Sequence, residues 1–518
     1  MAKKMRSLLR LLFGRTAFVM LSLLIQVGFF FSCIRWLSGY MVYIYGGMIL
    51  LTALVMVHIL NEKADPSFKI AWLVPVLVFP VFGTLLYLFV QIQVGTKIIA
   101  ARLKITEKET APYLEQEESV RRALKEQDKG MAGLAHYLKD TAGFPVYAGG
   151  SAQFFPLGDD MYPVMKEELS KAESFIFMEY FIVEQGGMWD GLLEILEKKA
   201  AEGVEVRVMY DGMCSIMLLP HSYPRQLEKK GIRCKMFSPI KPTLSTHQNN
   251  RDHRKICVID GHTAFTGGVN LADEYINRRE RFGHWKDTAI CIKGPAVQSF
   301  TMMFLQMWDI TERTLTDAGK YVYRAPAADA VTKAPEGGFM LPYGDSPLDQ
   351  ENVGEMVYID ILNQAQRYVH IMTPYLILDS EMVMAMTFAA KRGVEVIIIM
   401  PHIPDKRYAY LLARSYYQEL IEAGVKIYEY TPGFVHAKIF VSDDEKAVVG
   451  TINLDFRSLY LHFECGILLY QAPVVLRIEQ DLEETLEKCC QITREDCRRY
   501  PFVKSFAGQL MRFIAPLM

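Results

Sequence analysis

The sequence repeats one ordered series of segments, and this duplication limits the possible folds more than any other feature. The stretches KAESFIFMEYFIVEQ, KKAAEGVEVRVMYD and LEKKGIRCKMFSP resemble, in the same order, QAQRYVHIMTPYLILD, TFAAKRGVEVIIIMP and LIEAGVKIYEYTP. The two copies of Gly-Val-Glu-Val begin at Gly203 and Gly393, and the register between the copies holds with only small insertions. Several matches in a fixed order predict two structurally related halves.

Each half alternates short apolar runs with helix-length stretches. SFIFMEYFI and VEVRVMYD are candidate strands, and GLLEILEKKAAEG between them has the length and pattern of a helix. This alternation predicts an α/β fold in which each half is an α/β/α sandwich with a largely buried sheet. The predicted domains are a membrane region at 1–96, a charged helical connector at 97–142, a first half at 143–324, a linker at 325–339 and a second half at 340–518.

Three uncharged apolar runs lie near the N-terminus, at 16–34, 37–60 and 70–90. Each is close to or above the roughly 20 residues that cross a bilayer as a helix, which predicts transmembrane helices. A signal peptide followed by buried core helices is the alternative, and the sequence shows no small-residue cleavage site that would favour it. Basic residues before the first run and after the third both favour the cytoplasmic side. Three full crossings cannot satisfy both, so the number of spans stays open.

Each half then carries a segment with the same polar residues at nearly the same spacing, HRKICVID…GGVN in the first half and HAKIFVSD…GTIN in the second. Alternate side chains of a strand share a face, so the histidine and the lysine of each segment project together. A turn and a returning strand would bring the asparagine back to the same end of the sheet. The residues are His253, Lys255, Asp260 and Asn270 in the first half, and His436, Lys438, Asp443 and Asn453 in the second.

A histidine, a lysine and an amide from each half suit the chemistry of a phosphodiester. Lysine and asparagine donate hydrogen bonds to the non-bridging oxygens. One histidine attacks phosphorus, and the other protonates the leaving alcohol. This chemistry needs no metal or other cofactor, and we predict none. A single His-x-Lys segment is a weak signal, often a strand with a solvated lysine, whereas two copies at matching places in a repeat are a strong one.

The paired segments resemble the duplicated HKD motifs of the phospholipase D superfamily. More narrowly, NNRDHRKICVIDGHTAFTGGVNLADEY, PGFVHAKIFVSDDEKAVVGTINLDFRS and the N-terminal DPSFKIAWLVPVLVFPVFGTLLYLF are similar to segments of bacterial cardiolipin synthases with two HKD motifs. The resemblance implies phospholipase D-like halves that transfer a phosphatidyl group from one phosphatidylglycerol to another through a phosphohistidine, giving cardiolipin and glycerol. It also implies a multi-pass protein of the bacterial plasma membrane, with the catalytic body on the cytoplasmic side.

The resemblance also implies how the two histidines divide the work. By analogy, His253 is the nucleophile and His436 is the general acid and base. An acid downstream of each motif is expected to hydrogen-bond a histidine and fix its tautomer. Glu464 in LHFECGI and Asp287 in HWKDTAI lie at matching places and are the candidates.

The other motif residues are expected to support the histidines or to bind the phosphate. Asp260 and Asp443 are implied to hold the geometry of strand and loop. Asn270 and Asn453 are expected to bind the phosphate. Thr451 is the third candidate for phosphate binding, since the matching position in the first half is a glycine without a hydroxyl.

Four other functions are weighed against this interpretation. The formal net charge of −2 gives no general positive field for a nuclease, so no nucleic-acid partner is expected. A membrane-bound phospholipase D that uses water, giving phosphatidic acid, shares the same motifs, as does another phosphatidyltransferase. The competition between water and a lipid hydroxyl depends on how dry the pocket is, which the motifs do not reveal. A scaffold with a decayed site would have damaged motifs, and both are intact.

Overall fold

The computed structural model divides into two compact units. The first takes in Met1–Ile98, Ile240–Gln248 and Leu510–Met518, and the second takes in Ile99–Pro239 and Asn249–Gln509. The structure describes residues 24, 25, 28, 31, 32, 40–91, 94–214, 218–239, 249–323 and 337–517. Most of the predicted apolar run at 16–34 and of the predicted linker at 325–339 therefore lies outside the described residues.

The N-terminal part of the first unit is helical and strongly apolar. Its helices are α1 (Met41–Asn61), α2 (Pro66–Val78) and α3 (Pro80–Gln91). The predicted run at 37–60 corresponds to α1, whereas the run at 70–90 is divided between α2 and α3. The division falls at Pro80, because proline has no N–H to continue the hydrogen bonding of the preceding helix. By length and composition, one stretch of the described helices, Pro80–Tyr113, is long and apolar enough to cross a membrane.

Three further helices connect this region to the sheets. They are α4 (Val94–Thr110), α5 (Glu118–Gln127) and α6 (Lys129–Ala142). The side chain of Asp128 caps α6 by accepting a hydrogen bond from the backbone N–H of Met131 at 2.9 Å. Gly143 ends the helix in the left-handed conformation, with φ of 82°. Both ends of α6 are therefore defined by local sequence.

The first half is built on a seven-stranded sheet with the order β2-β10-β8-β7-β3-β4-β5. Strands β3, β4 and β5 are parallel, and β7 and β8 form an antiparallel hairpin. The elements are β1 (Tyr147–Ala148), β2 (Ser151–Phe155), α7 (Gly158–Ser170), β3 (Phe175–Tyr180), α8 (Gly187–Ala201), β4 (Glu205–Asp211), α9 (Tyr223–Glu228), β5 (Arg233–Phe237), β6 (Arg251–Asp252), β7 (Lys255–Ile259), β8 (Thr263–Gly267), β9 (His284–Lys286), β10 (Ala289–Lys293) and α10 (Val297–Glu312).

The second half repeats this plan in a ten-stranded sheet with the order β1-β11-β18-β17-β16-β12-β13-β14-β19, with β6 paired to β18. Strands β12, β13 and β14 are parallel, and β16 and β17 form the matching hairpin. The elements are β11 (Phe339–Asp345), α11 (Val353–Gln364), β12 (Tyr368–Met372), α12 (Ser380–Lys391), β13 (Glu395–Pro401), α13 (Arg407–Ala423), β14 (Lys426–Tyr430), β15 (Gly433–Val435), β16 (Ile439–Ser442), β17 (Lys446–Gly450), α14 (Phe456–Tyr460), β18 (His462–Tyr470), α15 (Val474–Leu486), β19 (Cys489–Ile492), α16 (Arg494–Arg499) and α17 (Phe502–Ile514).

The predicted fold class is confirmed, because two α/β halves carry the same strand arrangement. Three short strands that precede the second half, β1, β6 and β9, pair with strands of that half, and β9 pairs with β15. Strand β1, which precedes the first sheet, pairs with β11 of the second half. Strand β6, just before the first motif, pairs with β18 of the second half. These crossings make one continuous body of the two halves and bring the two motifs together.

Candidate active site

Two short parallel strand pairs position the motif histidines. In one pair β6 lies beside β18, and the backbone N–H of His253 donates to the carbonyl oxygen of Phe463 at 2.9 Å. In the other pair β15 lies beside β9, and the N–H of His436 donates to the carbonyl oxygen of Lys286 at 2.7 Å. Each motif histidine is thus held by the backbone of the opposite half, at the residue just before the candidate acid.

The two acids pair crosswise with the histidines. His253 Nδ1 lies 2.9 Å and 3.0 Å from the two carboxylate oxygens of Glu464, which comes from the second half. His436 Nδ1 lies 2.6 Å from Asp287 Oδ2, which comes from the first half. A carboxylate accepts, so each histidine carries its proton on Nδ1, and the Nε2 lone pair is free for attack on phosphorus or for proton transfer.

Small residues next to the two acids set their positions in different ways. A Cβ atom on Gly268 would lie 1.9 Å from Asp287 Oδ1, so only glycine leaves room for this carboxylate. At the matching place in the second half, the hydroxyl of Thr451 donates to Glu464 and accepts a bond from the N–H of Cys465 at 3.0 Å. Gly268 in the first half and Thr451 in the second half therefore give the two histidine–carboxylate pairs different surroundings.

The motif lysines are buried between these pairs. Lys255 and Lys438 are each 1% exposed, and Lys255 Nζ donates to the carbonyl oxygen of His253 at 2.6 Å. Lys438 Nζ donates to the carbonyl oxygen of His436 and lies 2.9 Å from its Nδ1. Within the described part of the chain, no carboxylate lies within 4.0 Å of either ammonium group. Two buried cations without a direct anionic partner are suited to bind an anion.

Burial dominates the protonation of the site. It lowers the pKa of Lys255 to about 8 and the pKa of Lys438 to about 7, although Glu464 and Asp287 oppose the shift. Burial also lowers the pKa of His253 to about 3 and the pKa of His436 to about 4, so both imidazoles are neutral near pH 7. The charge of Lys255 further lowers the pKa of both Lys438 and His436. Residues of the two motifs therefore lie close enough to form one electrostatic site.

Part of the amide of each motif asparagine is already hydrogen-bonded within the protein. Asn270 accepts from the N–H of Ile182 at 3.0 Å and donates to the hydroxyl of Tyr275 at 2.9 Å. Asn453 donates to the hydroxyl of Ser458 at 3.0 Å. Each partner hydroxyl lies five residues after its asparagine, so the two halves repeat this spacing as well. One N–H of each amide remains for a phosphate.

The motif aspartates lie at the far ends of the motif strands. The carboxylate of Asp260 accepts from three consecutive backbone N–H groups, at 2.7–2.8 Å, in the turn before β3. Asp443 does the same before β12, at 2.8–3.0 Å. Both have positive φ, 53° and 58°, which aspartate tolerates better than most residues. Strand rise places each aspartate about 23 Å along the chain from its motif histidine, so the contacts favour the implied supporting role.

A third histidine, His462, lies in the same site. The rings of His462 and His253 are 5.5 Å apart between centroids, and His462 Nδ1 lies 3.7 Å from Glu464 Oε1. The side chains of His253, His462 and Glu464 are close enough to ligate one metal ion. Because Glu464 already bonds Nδ1 of His253, a metal there would have to break that bond. Only the tertiary structure identifies His462, since its sequence context is unlike the motifs.

Two family models match this chain. The family described as cardiolipin synthase, PLD-like domain, matches residues 165–308 and 358–486. The family described as phospholipase D-nuclease N-terminal matches residues 50–91. The first match covers both motif-bearing halves, and the second covers most of α1 together with α2 and α3.

Similar proteins cover nearly the whole chain. An uncharacterised protein of Streptococcus mutans is 49% identical over 89% of this chain and 99% of its own length. A cardiolipin synthase of Alkalihalophilus pseudofirmus is 35% identical over 88% of this chain and 90% of its own. A cardiolipin synthase of Halalkalibacterium halodurans is 32% identical over 96% of this chain and 98% of its own.

The fold is also found in a solved structure. Phosphatidylserine synthase of Haemophilus influenzae aligns with a TM-score of 0.56 at 15% identity, over 75% of this chain and 98% of its own. At this identity the likeness shows the fold alone. Together with the family matches and the full-length relatives, the paired motifs identify the protein's family. The chain belongs to the cardiolipin synthase family of the phospholipase D superfamily and is a phosphatidyltransferase.

Proposed function

We propose that this enzyme transfers a phosphatidyl group from one phosphatidylglycerol to the headgroup hydroxyl of a second, giving cardiolipin and glycerol. The proposal depends chiefly on one observation. Two buried lysines without a carboxylate within ion-pair distance, Lys255 and Lys438, belong to the same site as two imidazole–carboxylate pairs. A phosphodiester supplies the missing negative charge and a phosphorus atom for the imidazoles to attack.

In the first step, Nε2 of His253 attacks phosphorus, and the bond from phosphorus to the headgroup oxygen breaks. His436 protonates that oxygen from Nε2, and glycerol leaves. The bound phosphate anion favours the protonated form of His436, which offsets the burial that lowers its pKa in the empty site. Glu464 keeps the proton of His253 on Nδ1, and Asp287 stabilises the positive charge on His436.

In the second step His436 acts as a general base. A headgroup hydroxyl of the second phosphatidylglycerol gives its proton to His436, and its oxygen attacks phosphorus. The bond between phosphorus and His253 breaks, which regenerates the free imidazole. Two phosphatidylglycerols thus give one cardiolipin and one glycerol, without a metal or other cofactor.

The phosphate oxygens are proposed to lie against the two lysines and the remaining amide N–H groups of Asn270 and Asn453. These donors are fixed before the reaction and act where charge develops in the transition state. For Thr451, the bonds to Glu464 and Cys465 favour a role in holding the acid over direct contact with phosphate.

We also propose that the enzyme is a multi-pass protein of the bacterial plasma membrane, with the catalytic body on the cytoplasmic side. The long apolar stretch Pro80–Tyr113 and the exposed apolar side chains of α1 support a membrane region. Helix α17 exposes Phe502, Phe506 and Leu510, which are four residues apart and so form one apolar stripe. Protease protection in intact cells and in inverted vesicles tests the sidedness.

Hydrolysis to phosphatidic acid is the alternative outcome at the same phosphohistidine. A lipid acceptor is favoured by its high local concentration at the bilayer. The test uses purified enzyme in vesicles of phosphatidylglycerol, with the products identified by mass spectrometry. Cardiolipin and an equal amount of glycerol are expected. Phosphatidic acid alone would reject the transfer reaction.

A further inference from the structure

A further buried lysine, Lys286, lies next to the site but is not used in the proposed mechanism. It is 4% exposed and is the last residue of β9, just before Asp287. Its ammonium group donates to Oδ1 and Oδ2 of Asp481, at 2.8 Å and 2.7 Å, and to the carbonyl oxygen of Pro156 at 2.7 Å. A lysine has three N–H donors, so all three are bonded within the protein and none remains for a phosphate.

These contacts join three separate elements. Pro156 follows β2 of the first half, and Asp481 lies in α15 of the second half, where it is also 4% exposed. Strand β9 and its partner β15 form a two-stranded sheet in which each strand has only three residues. So short a strand pair has few backbone hydrogen bonds to hold it. The side chain of Lys286 therefore adds directed contacts that attach β9 to the second half.

The position of Lys286 determines the position of His436 in two ways. The carbonyl oxygen of Lys286 accepts the N–H of His436 at 2.7 Å. The next residue, Asp287, bonds Nδ1 of the same histidine at 2.6 Å. A displacement of β9 would therefore move the backbone acceptor and the carboxylate of His436 together.

The equivalent position in the other half has no such need. There the carbonyl oxygen of Phe463 accepts the N–H of His253 at 2.9 Å, and Glu464 follows. Phe463 lies in β18, which has nine residues and is paired with β11 on one side and β17 on the other. The backbone of a central strand fixes the acid that orients His253, whereas the acid that orients His436 lies just after a short strand.

We propose that the Lys286–Asp481 ion pair fixes β9 against the second half and thereby positions Asp287 and the backbone acceptor for His436. Both are positioning residues, required for acid–base catalysis by His436 and not for attack by His253. This inference rests on the proposed function. Apolar residues of similar size often replace a buried ion pair without loss of stability, so the function of the pair can be tested apart from folding.

The test uses the double variant Lys286→Met/Asp481→Leu, which leaves neither charge unpaired. The donor has a p-nitrophenol headgroup, which leaves without protonation, and phosphatidylglycerol is the acceptor. With enzyme in excess, nitrophenolate release measures the first step alone, and its rate should stay within about threefold of wild type. Steady-state turnover, which also needs His436 as a base, should fall about 10-fold or more, because small misplacements of a catalytic group have large effects on rate.

The matched control is a second buried ion pair between a helix and a strand of the second half, Arg414 with Glu429. Arg414→Met/Glu429→Gln should keep the wild-type ratio of turnover to first-step rate. Thermal unfolding checks each variant. If the Lys286→Met/Asp481→Leu protein does not fold, Asp481→Glu replaces it, since a side chain longer by one methylene keeps the charges paired but shifts Lys286.

A folded variant of the Lys286–Asp481 pair with the wild-type ratio would overturn the inference. Equal losses in both steps would also overturn it, because they would indicate a general structural role. His436→Asn is measured alongside as the reference. If that variant stalls after the first step and the ion-pair variant does not, only this inference fails. If His436→Asn itself does not stall, the proposed roles of the histidines fail, and this inference fails with them.

Discussion

His436 and Asp287 lie 149 residues apart in the sequence, and their Nδ1 and Oδ2 atoms lie 2.6 Å apart in the structure. The reciprocal pair, His253 and Glu464, is separated by 211 residues. Each half therefore supplies the motif histidine for one pair and the orienting acid for the other. A single half would hold an imidazole without its carboxylate, so both halves are needed to complete either pair.

The division of labour between the histidines predicts different behaviour with a donor that has a p-nitrophenol headgroup. This leaving group needs no protonation, so the acid is dispensable in the first step. We expect His436→Asn to release one equivalent of nitrophenolate rapidly and then stall as a phosphatidyl-enzyme, because no base activates the acceptor. His253→Asn should give no burst. Rapid-quench trapping measures both, and the reverse pattern would exchange the assignments.

The crosswise pairing predicts that each acid variant resembles the histidine variant of the opposite half. Glu464→Gln should behave like His253→Asn and give no burst, because an amide that donates to Nδ1 moves the proton to Nε2 and removes the nucleophilic lone pair. Asp287→Asn should behave like His436→Asn, with a burst followed by turnover reduced roughly 10²-fold or more. The same quench assay decides, and resemblance within one half would contradict the geometry.

Because there is no space between Gly268 and the carboxylate of Asp287, we predict that one added methyl group at Gly268 strongly reduces activity. Gly268→Ala places a Cβ 1.9 Å from Asp287 Oδ1 and must displace the carboxylate from His436. We expect a burst-and-stall pattern like that of Asp287→Asn, with turnover reduced about 10²-fold. Gly133→Ala is the matched control, since a Cβ there meets no atom within 4 Å and alanine favours the helix. Equal activity of the two alanine variants would refute the steric argument.

The lowered pKa values of the lysines predict loss of activity at alkaline pH. The free enzyme binds the phosphodiester best when Lys438, with a pKa of about 7, and Lys255, with a pKa of about 8, are protonated. Lys438 loses its charge as the pH rises through about 7 and Lys255 as it rises through about 8, so kcat/KM for phosphatidylglycerol should fall about tenfold per pH unit between pH 7 and 8 and about 100-fold per unit above pH 8. Saturated kcat should hold to higher pH, because bound phosphate raises both pKa values.

Substitution of Lys438 by a residue that stays charged tests whether Lys438 causes part of the loss of activity at high pH. The arginine introduced by Lys438→Arg stays protonated over the whole pH range. The slope of log kcat/KM against pH above pH 8 should therefore be less steep by one unit, although the altered geometry lowers the rate itself. An unchanged slope would exclude Lys438 as the titrating group.

The motif aspartates lie at the ends of the motif strands that are remote from the histidines. We therefore predict that their substitution lowers the stability of the protein and does not directly affect the reaction. Asp260→Ala leaves three backbone N–H groups without their acceptor and should lower the free energy of unfolding by about 1–3 kcal/mol. Asp260→Asn keeps one acceptor oxygen and tolerates positive φ, so it should lose less. Urea unfolding in detergent measures both. Wild-type stability combined with lost activity per folded molecule would instead assign Asp260 to the reaction.

The duplication, the α/β class and the motif residues were predictable because each follows from local patterns. Strand and helix periodicities recur every two or 3.6 residues, and the two copies of the motif confirm each other by position. The predicted third apolar run is divided in the structure at Pro80, a proline that the sequence places inside the run.

The sequence by itself determined that two histidines, two lysines and two acids stand at matching places in two related halves. Only the tertiary structure decided which acid meets which histidine, and that His462 lies beside His253. These contacts join residues that are 149 or more positions apart in sequence or that lie on strands from different halves. No local pattern encodes such a choice, because it depends on how the packed sheets and their crossing strands bring distant segments together.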